Sequence, residues 1–413
     1  MIDSLYLLSL FLALAAGACI FLFLLNRYLI QMRDGRRKLW IIVGSMAAVG
    51  LGSAAFGYVT AGTRWVWGPV AALAVVALGE VRRLVIRKRH RGAPPVVTEN
   101  ARGWLRAPVT TTDLVVARYE LVCPDWPGPD FRIAHVSDFH VNSQLPPDYY
   151  RAVMARVAAS HPDFIFHTGD FVTKAEYAPL LPDILSAAKG RLGTFAILGN
   201  HDYWAGAAQV AAAVRASAIT LLDEHPLRVA VGPGAALRIF GYEYPWRGRR
   251  WQPPHLAAGE IGLVLTHTPD NIYALRDSGM AAVFAGHYHA GQIKLPLLGP
   301  VIVPSSYGRR FDHGHFVFGA PGQHTHLFVT AGVGAAMPRF RILCQPDIFV
   351  VDVRGREIQK PGFSEKPGWG ALARRHHSSP SEPGHPPKPS GFTECSCAAA
   401  AITEKMKSAL LAV

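Results

Sequence analysis

The chain has 413 residues, which is enough for more than one domain, and half of them are apolar while only 17% are charged. A formal net charge of +13 can indicate nucleic-acid binding, but here the basic residues flank apolar segments, as in membrane proteins, so no nucleic-acid partner is expected. Five scattered cysteines predict no disulfide framework.

Residues 1–91 are predicted to be a membrane region with two to three transmembrane helices. Residues 4–26 and 39–63 contain no charged side chain, and each run exceeds the roughly 20 residues that cross a bilayer as a helix. A third, shorter run at 65–79 spans if its helix continues past Glu80. A cleaved signal peptide is the alternative for the first run, but no basic segment precedes it and a second apolar run follows closely.

Positive charge is concentrated around these apolar runs. Residues 1–106 hold 14 Lys/Arg and 4 Asp/Glu, grouped mainly at 27–38 and 82–91. With three spans, both basic groups fall on the same side of the membrane, which satisfies the positive-inside rule; with two spans they fall on opposite sides. We therefore expect three spans followed by a cytoplasmic domain.

The remainder of the chain divides into a linker at 92–111, a domain at 112–355 and a tail at 356–413. Short apolar runs predict ten strands in the domain, and helical spacing predicts helices at 147–160, 175–189, 205–217 and 270–278. The alternation indicates an α/β fold, and fewer helices between the later strands favour a mixed sheet. The tail is rich in Pro, Ser, Gly and His, so we expect it to be disordered.

Polar residues that can bind metals follow five of the predicted strands at the point where each strand ends. In α/β sheets, ligands bind beyond the carboxyl ends of the strands, so this chemistry should meet at one edge. Carboxylate, imidazole and amide groups suit Mn, Zn or Fe, and there are enough of them for two ions with a hydroxide held between. Each residue alone is weak evidence for a metal site, because a histidine after a strand is more often a packed core residue. The set comprises Asp138 and His140; Asp170; Asn200, His201 and Asp202; His267; and His287 and His289.

The order of these residues carries a resemblance to a known family. D-x-H, G-D, G-N-H-D, a single His and G-H-x-H follow one another between residues 138 and 289. This pattern resembles the calcineurin-like metallophosphoesterase superfamily over about residues 112–353. The resemblance implies a four-layer α-β-β-α sandwich that hydrolyses phosphoric esters.

The same resemblance implies a role for each matched residue. One metal would be held by Asp138, His140, Asp170 and His289, and the other by Asp170, Asn200, His267 and His287. The carboxylate of Asp170 would therefore bridge the two ions. His201 would act as the acid that assists the leaving group, and Asp202 would orient His201.

Residues 286–314 and 327–353 resemble the bacterial membrane-associated branch of these phosphoesterases. The chain departs from the usual pattern of that branch in three places. Tyr288 stands where Thr is common, Ala290 replaces a Gly, and Thr173-Lys174 occupies a position that is often acidic. None of the three removes a metal ligand, so we expect neutral packing and surface changes.

The expected function is hydrolysis of a phosphodiester or pyrophosphate bond, with two divalent ions, Mn first and Zn or Fe as alternatives. A membrane region suggests a lipid-linked or envelope substrate in the bacterial inner membrane, and UDP-diacylglucosamine is a candidate by analogy with a hydrolase of the superfamily. A non-catalytic, membrane-anchored metal-binding scaffold is the alternative. A transporter is disfavoured because the predicted spans lack membrane-embedded charge, and Glu80 lies at the end of the third span.

Overall fold

The computed structural model describes residues 4–33, 35–62, 67–102, 108–296, 298–319, 323–337 and 339–355. The tail expected to be disordered, 356–413, lies outside the described residues, as does the turn between the second and third apolar runs.

Three long helices precede the domain: α1 Ser4–Leu24, which continues through a π-helical turn at Leu25–Leu29, α2 Arg36–Gly62 and α3 Trp67–His90. Among the described residues, Tyr6–Leu29 and Arg36–Gly62 are the helices that are long and apolar enough to cross a membrane. From Trp67 onward, the run expected to be a third span lies in the first half of α3, a helix of 24 residues that is long enough to span but is not among the helices with a sufficiently apolar composition.

The second half of α3 lies against the domain that follows. Arg87 forms an ion pair with Asp312, and the ring of His90 stacks on Phe318 with centroids 4.4 Å apart. Glu80 pairs with Arg309. The basic residues at the end of α3 therefore include groups that attach the helix to the domain.

The domain is built on two large mixed β-sheets. Sheet I has seven strands and sheet II has six. In spatial order, sheet I comprises β1 Val97–Glu99, β2 Val115–Val122, β15 Asp347–Arg354, β3 Phe131–Val136, β4 Phe164–His167, β5 Gly193–Ala196 and β6 Thr220–Leu221. Sheet II comprises β13 Gly314–Phe318, β14 Thr325–Val329, β10 Ala282–Ala285, β9 Glu260–Thr266, β8 Ala235–Tyr242 and β7 Leu227–Gly232. A small hairpin joins β11 Lys294–Leu295 to β12 Gly299–Pro300.

The two sheets pack face to face, and helices cover their outer faces. In β3, Ile133 points into the core between the sheets, whereas Ala134 and Val136 point to the helix side, as the two-residue period of a strand requires. The outer face of sheet I is covered by α4 Pro147–Ala159, α5 Leu181–Leu185 and α6 Asn200–Ala216. The outer face of sheet II is covered by α7 Ile272–Leu275, Ile86 of α3 and loops. This is the expected four-layer α-β-β-α arrangement.

Parallel pairing brings the functional strand ends together. In sheet I, β3, β4, β5 and β6 run parallel, and in sheet II β8, β9, β10 and β14 do so. The carboxyl ends of the strands within each parallel set therefore lie at a common edge of their sheet.

All ten predicted strands are present, but several boundaries and elements differ from the prediction. The helix expected at 175–189 is a 3₁₀ turn, Ala175–Leu180, followed by the short α5, because Pro179 and Pro182 each lack a backbone N–H donor. The helix expected at 270–278 is likewise a 3₁₀ turn and the four-residue α7. The expected linker contains β1, which pairs with β2 at the edge of sheet I.

Candidate metal centre

The chain turns sharply after three of the five strands that carry predicted ligands, namely β3, β4 and β10. Asp138, His140, Asp170, His287 and His289 have φ values of 54°, 46°, 57°, 67° and 50°, in the left-handed region that few non-glycine residues adopt. The backbone N–H groups of Asp138 and His140 donate to the carbonyls of Gly169 and Asp170, at 3.0 and 2.9 Å. These hydrogen bonds join the loop after β3 to the loop after β4.

Two glycines of the motifs leave room for the carboxylates. A Cβ at Gly286 would lie 2.2 Å from Oδ2 of Asp138, and a Cβ at Gly199 would lie 2.2 Å from Oδ1 of Asp170. A side chain at either position would therefore displace a carboxylate. The backbone N–H of His287 instead donates to both oxygens of Asp138, at 3.1 and 3.0 Å.

One group of side chains joins the loops after β3, β4 and β10. Nε2 of His140 lies 3.0 Å from Nε2 of His289 and 3.4 Å from Oδ2 of Asp170. Oδ1 of Asp138 is 3.5 Å from Nε2 of His289 and 3.9 Å from Nε2 of His140. The four side chains expected to hold one metal are therefore together and buried.

A second group joins the loops after β4, β5, β9 and β10. Nε2 of His267 lies 3.1 Å from three atoms: Oδ2 of Asp170, Oδ1 of Asn200 and Nδ1 of His287. Nδ1 of His267 lies 2.6 Å from the carbonyl oxygen of Thr168, which orients the imidazole. The four side chains expected to hold the other metal therefore converge as well.

The spacing of these atoms fits cation binding. Two nitrogens that each lie about 2.1 Å from a shared ion, at right angles, are about 3.0 Å apart. The pairs His140–His289 and His267–His287 have N···N distances of 3.0 and 3.1 Å. Oδ2 of Asp170 approaches a histidine of each group, so this carboxylate is placed to bridge.

The charge states of the buried groups also favour a cation. Burial lowers the pKa of His140 to about 3, so its imidazole is neutral. Burial raises the pKa of Asp138 to about 6, with Asp170 adding to the effect. Burial alone would lower the pKa of His267, but Asp170 and Asp138 raise it to about 9. In the absence of a metal, a proton on His267 thus supplies positive charge beside the two carboxylates.

His201 and Asp202 occupy different positions relative to these groups. The ring of His201 is half-buried, with its centroid 4.7 Å from that of His140 and 4.8 Å from that of Trp204. We expected Asp202 to orient His201. Instead, Oδ1 of Asp202 accepts hydrogen bonds from the N–H groups of Phe171 and Val172, at 2.8 and 3.2 Å, and Oδ2 accepts one from Gly199 at 3.0 Å.

The physical reason is the position of Asp202 in α6. It is the third residue of the helix, where a side chain can bend back to the N–H of the residue that caps the helix, here Gly199. The same carboxylate thereby holds the residues that directly follow Asp170. Asp202 is therefore placed to support the metal-binding loops and not the imidazole of His201.

Sequence reasoning did not identify two other residues of the centre. Arg341 is fully buried and donates to the carbonyls of Ala331 at 2.7 Å and Gly334 at 2.9 Å, next to His289. The ring of Trp246 stands 5.4 Å from that of His267. No spacing motif marks either residue, because their contacts join segments that are distant in the chain.

Comparisons with known proteins indicate the family to which the chain is similar. Residues 131–291 match the family model described as calcineurin-like phosphoesterase. The chain is 28% identical over 228 residues to phosphodiesterase YaeI of Escherichia coli (strain K12), covering 54% of this chain and 82% of that protein. It is 25% identical over 276 residues to the UDP-2,3-diacylglucosamine pyrophosphatase LpxG of Chlamydia muridarum, covering 53% of this chain and 82% of LpxG.

Among solved structures, the NAD nucleotidase of Haemophilus influenzae is similar, with 12% identity and a TM-score of 0.34. The match covers 50% of this chain and 46% of the nucleotidase, so this chain spans about half the length of that protein. At this level of likeness, nothing about the activity of the nucleotidase transfers.

Proposed function

The chain belongs to the calcineurin-like phosphoesterase superfamily and is a hydrolase of phosphoric ester bonds, and from this premise we propose that it cleaves a phosphodiester or pyrophosphate bond with two divalent metal ions. The observation that carries the proposal is the pair of buried ligand groups that meet at Asp170. A chain without this chemistry has no evident need to bury two carboxylates and four histidines in contact, because desolvating such groups is costly.

In this proposal, Asp138, His140, Asp170 and His289 hold one ion, and Asp170, Asn200, His267 and His287 hold the other. When bound, such ions neutralise phosphate oxygens and lower the pKa of water, so that a nucleophile is available at neutral pH. The ligand types suit Mn, with Zn or Fe as alternatives.

The proposed proton donor to the leaving group is His201. Its half-buried ring stands at the surface of a cavity beside the ligand groups, where a leaving oxygen can reach it. Trp204 contacts this ring edge to face, with ring centroids 4.8 Å apart. Asp202 supports the backbone after Asp170 in this proposal, and so acts on the metal site.

The proposed substrate is lipid-linked and lies in the bacterial inner membrane. Two apolar helices precede the domain, and the relative LpxG carries the name of a UDP-2,3-diacylglucosamine pyrophosphatase, so that compound is the first candidate. Residues between α1 and α2 contact the domain through Arg27, which donates to Ser306. Both basic groups therefore lie on the domain's side, which supports a multi-pass anchor with the domain in the cytoplasm.

The test uses the full chain in detergent, stripped of metal and reloaded with Mn²⁺, with bis-p-nitrophenyl phosphate as substrate. We expect Mn²⁺-dependent cleavage and two bound ions per chain. His267→Ala and His289→Ala should each lose activity at least a hundredfold and bind about one ion fewer. His225→Ala is the matched control, because its side chain is 91% exposed.

Two results would contradict the proposal. Full activity in both ligand variants would show that the reaction does not use this centre. Two bound ions with no cleavage of diesters, monoesters or UDP-diacylglucosamine would favour the alternative, a membrane-anchored metal-binding scaffold.

A further inference from the structure

A cavity of about 320 Å³ adjoins the candidate metal centre. On one side it is bounded by residues of the centre, including Asp170, His201 and His289. On another side it is bounded by Ile30 and Gln31 from the connection between α1 and α2, and by Lys38 from the first turn of α2. The membrane region therefore forms part of the same cavity as the candidate metal ligands.

Much of the remaining surface of this cavity is apolar. It includes Trp204 from α6, Ile293 and Ile302 from the segment around the β11–β12 hairpin, and Met337. Ile302 and Met337 are 37% and 69% exposed, and Leu298 at the tip of the hairpin is 64% exposed. A small, water-soluble ester needs no such surface, whereas an alkyl chain gains about fourfold in binding for each methylene group that it buries.

Hydrogen bonds fix the membrane segment against the wall of the cavity. Nδ2 of Asn26 donates to the carbonyl of Val301 at 3.1 Å, and the N–H of Val303 donates to the side-chain oxygen of Asn26. The N–H of Ser305 donates to the backbone carbonyl of Asn26 at 3.3 Å. Asn26 is buried at the end of an otherwise apolar helix, so this junction sets where Ile30 lies relative to Ile302.

We propose that this cavity binds an acyl chain of the substrate, and that the membrane region forms one wall of the subsite instead of serving only as an anchor. The occupant is the hydrocarbon part of a membrane phosphoester, because the cavity is continuous with the end of a helix that is long and apolar enough to lie in lipid. This inference rests on the proposed function. It adds the side chains that recognise the hydrocarbon and the direction from which substrate enters, which is the bilayer.

The test compares alkyl p-nitrophenyl phosphodiesters with methyl, butyl, octyl and dodecyl chains, using the full chain with Mn²⁺ in mixed micelles. We expect kcat/KM to rise with chain length, by up to fourfold per methylene, until the cavity is filled. In Ile302→Ser and Ile30→Ser, the octyl-to-methyl ratio should fall at least tenfold, each variant being compared with its own methyl ester. Partition into micelles affects every variant alike, so it cannot produce this difference.

Ile302→Trp fills the cavity instead of making it polar, and should move the preferred chain to a shorter length. Leu227→Ser is the matched control, because Leu227 is a partly exposed residue on the remote edge strand β7. An octyl-to-methyl ratio unchanged in all three cavity variants, or a wild-type rate independent of chain length, would overturn the acyl subsite alone. Absence of Mn²⁺-dependent cleavage of every ester would overturn the proposed function with it.

Discussion

Replacing Asp202 tests which of two roles this residue has: supporting the metal-binding loops or orienting His201. In Asp202→Ala, the buried N–H groups of Phe171, Val172 and Gly199 lose their acceptor. An unsatisfied buried group costs about 1–3 kcal/mol. Burial, with Asp170 nearby, raises the pKa of Asp202 to about 8, so this buried acidic group is itself costly and its removal returns part of the loss. We therefore take about 1 kcal/mol per N–H group, or about 3 kcal/mol in all.

A loss of about 3 kcal/mol should lower the melting temperature by about 6–12 °C for a domain of this size. Because Phe171 and Val172 directly follow Asp170, the Mn²⁺ concentration for half-maximal activity should also rise, by about 10–100-fold. Both quantities are measured on the full chain in detergent, by thermal unfolding with and without Mn²⁺ and by Mn²⁺ titration of diester cleavage.

Asp202→Asn is the graded control for this prediction. Its amide oxygen can still accept from Phe171 and Val172, but its NH₂ group faces the N–H of Gly199, so both effects should be intermediate. The reasoning would be refuted if Asp202→Ala kept the wild-type melting temperature and Mn²⁺ dependence and lost only kcat. That result is the one expected of a residue that orients His201.

Three further predictions concern the same centre. His201→Ala should lower kcat by about 10²–10⁴-fold with little change in Mn²⁺ affinity, measured by metal titration; a tenfold weaker affinity would instead make His201 a ligand. Because the pKa of His267 is raised to about 9, a bound cation must displace its proton below that pH, so Mn²⁺ affinity should rise about tenfold per unit from pH 7 to 9, whereas a flat profile would contradict it. Over the same range, the melting temperature of the metal-free protein should fall, since stability from a raised pKa is lost as pH rises through it. Tyr288→Phe removes the hydroxyl that donates to the buried Asp270 and should cost about 1–2 kcal/mol in thermal unfolding with kcat unchanged; a large loss of kcat would place Tyr288 in the reaction.

The sequence was most informative where local pattern determines structure. The apolar runs that predicted β3, β4, β9 and β10 are buried strands. The polar residues after them lie at a common edge of each sheet because the strands run parallel, and the face-to-face packing of the two sheets brings the two edges together. The edge strand β7 was not predicted, since its side chains are largely exposed and lack a clear alternation.

Features that depend on the direction of a side chain or on distant contacts could not be predicted in this way. Adjacency to His201 suggested that Asp202 orients this imidazole, and sequence reasoning did not show that its carboxylate, in the first turn of α6, accepts from Phe171, Val172 and Gly199. Arg341 lies far in sequence from every motif, yet it donates to the loop at Ala331 beside His289. The junction of Asn26 with Val301 joins residues 275 apart, and no local spacing reports it.

The left-handed turns at Asp138, His140, Asp170, His287 and His289 have a consequence for protein engineering. Each such conformation costs a non-glycine residue of order 1–3 kcal/mol, and glycine adopts it without that cost. A redesign that scores only foldability would therefore place glycine at these five positions and could gain thermal tolerance there. The variants that such a design ranks highest would be the ones that had discarded the ability to hold metal.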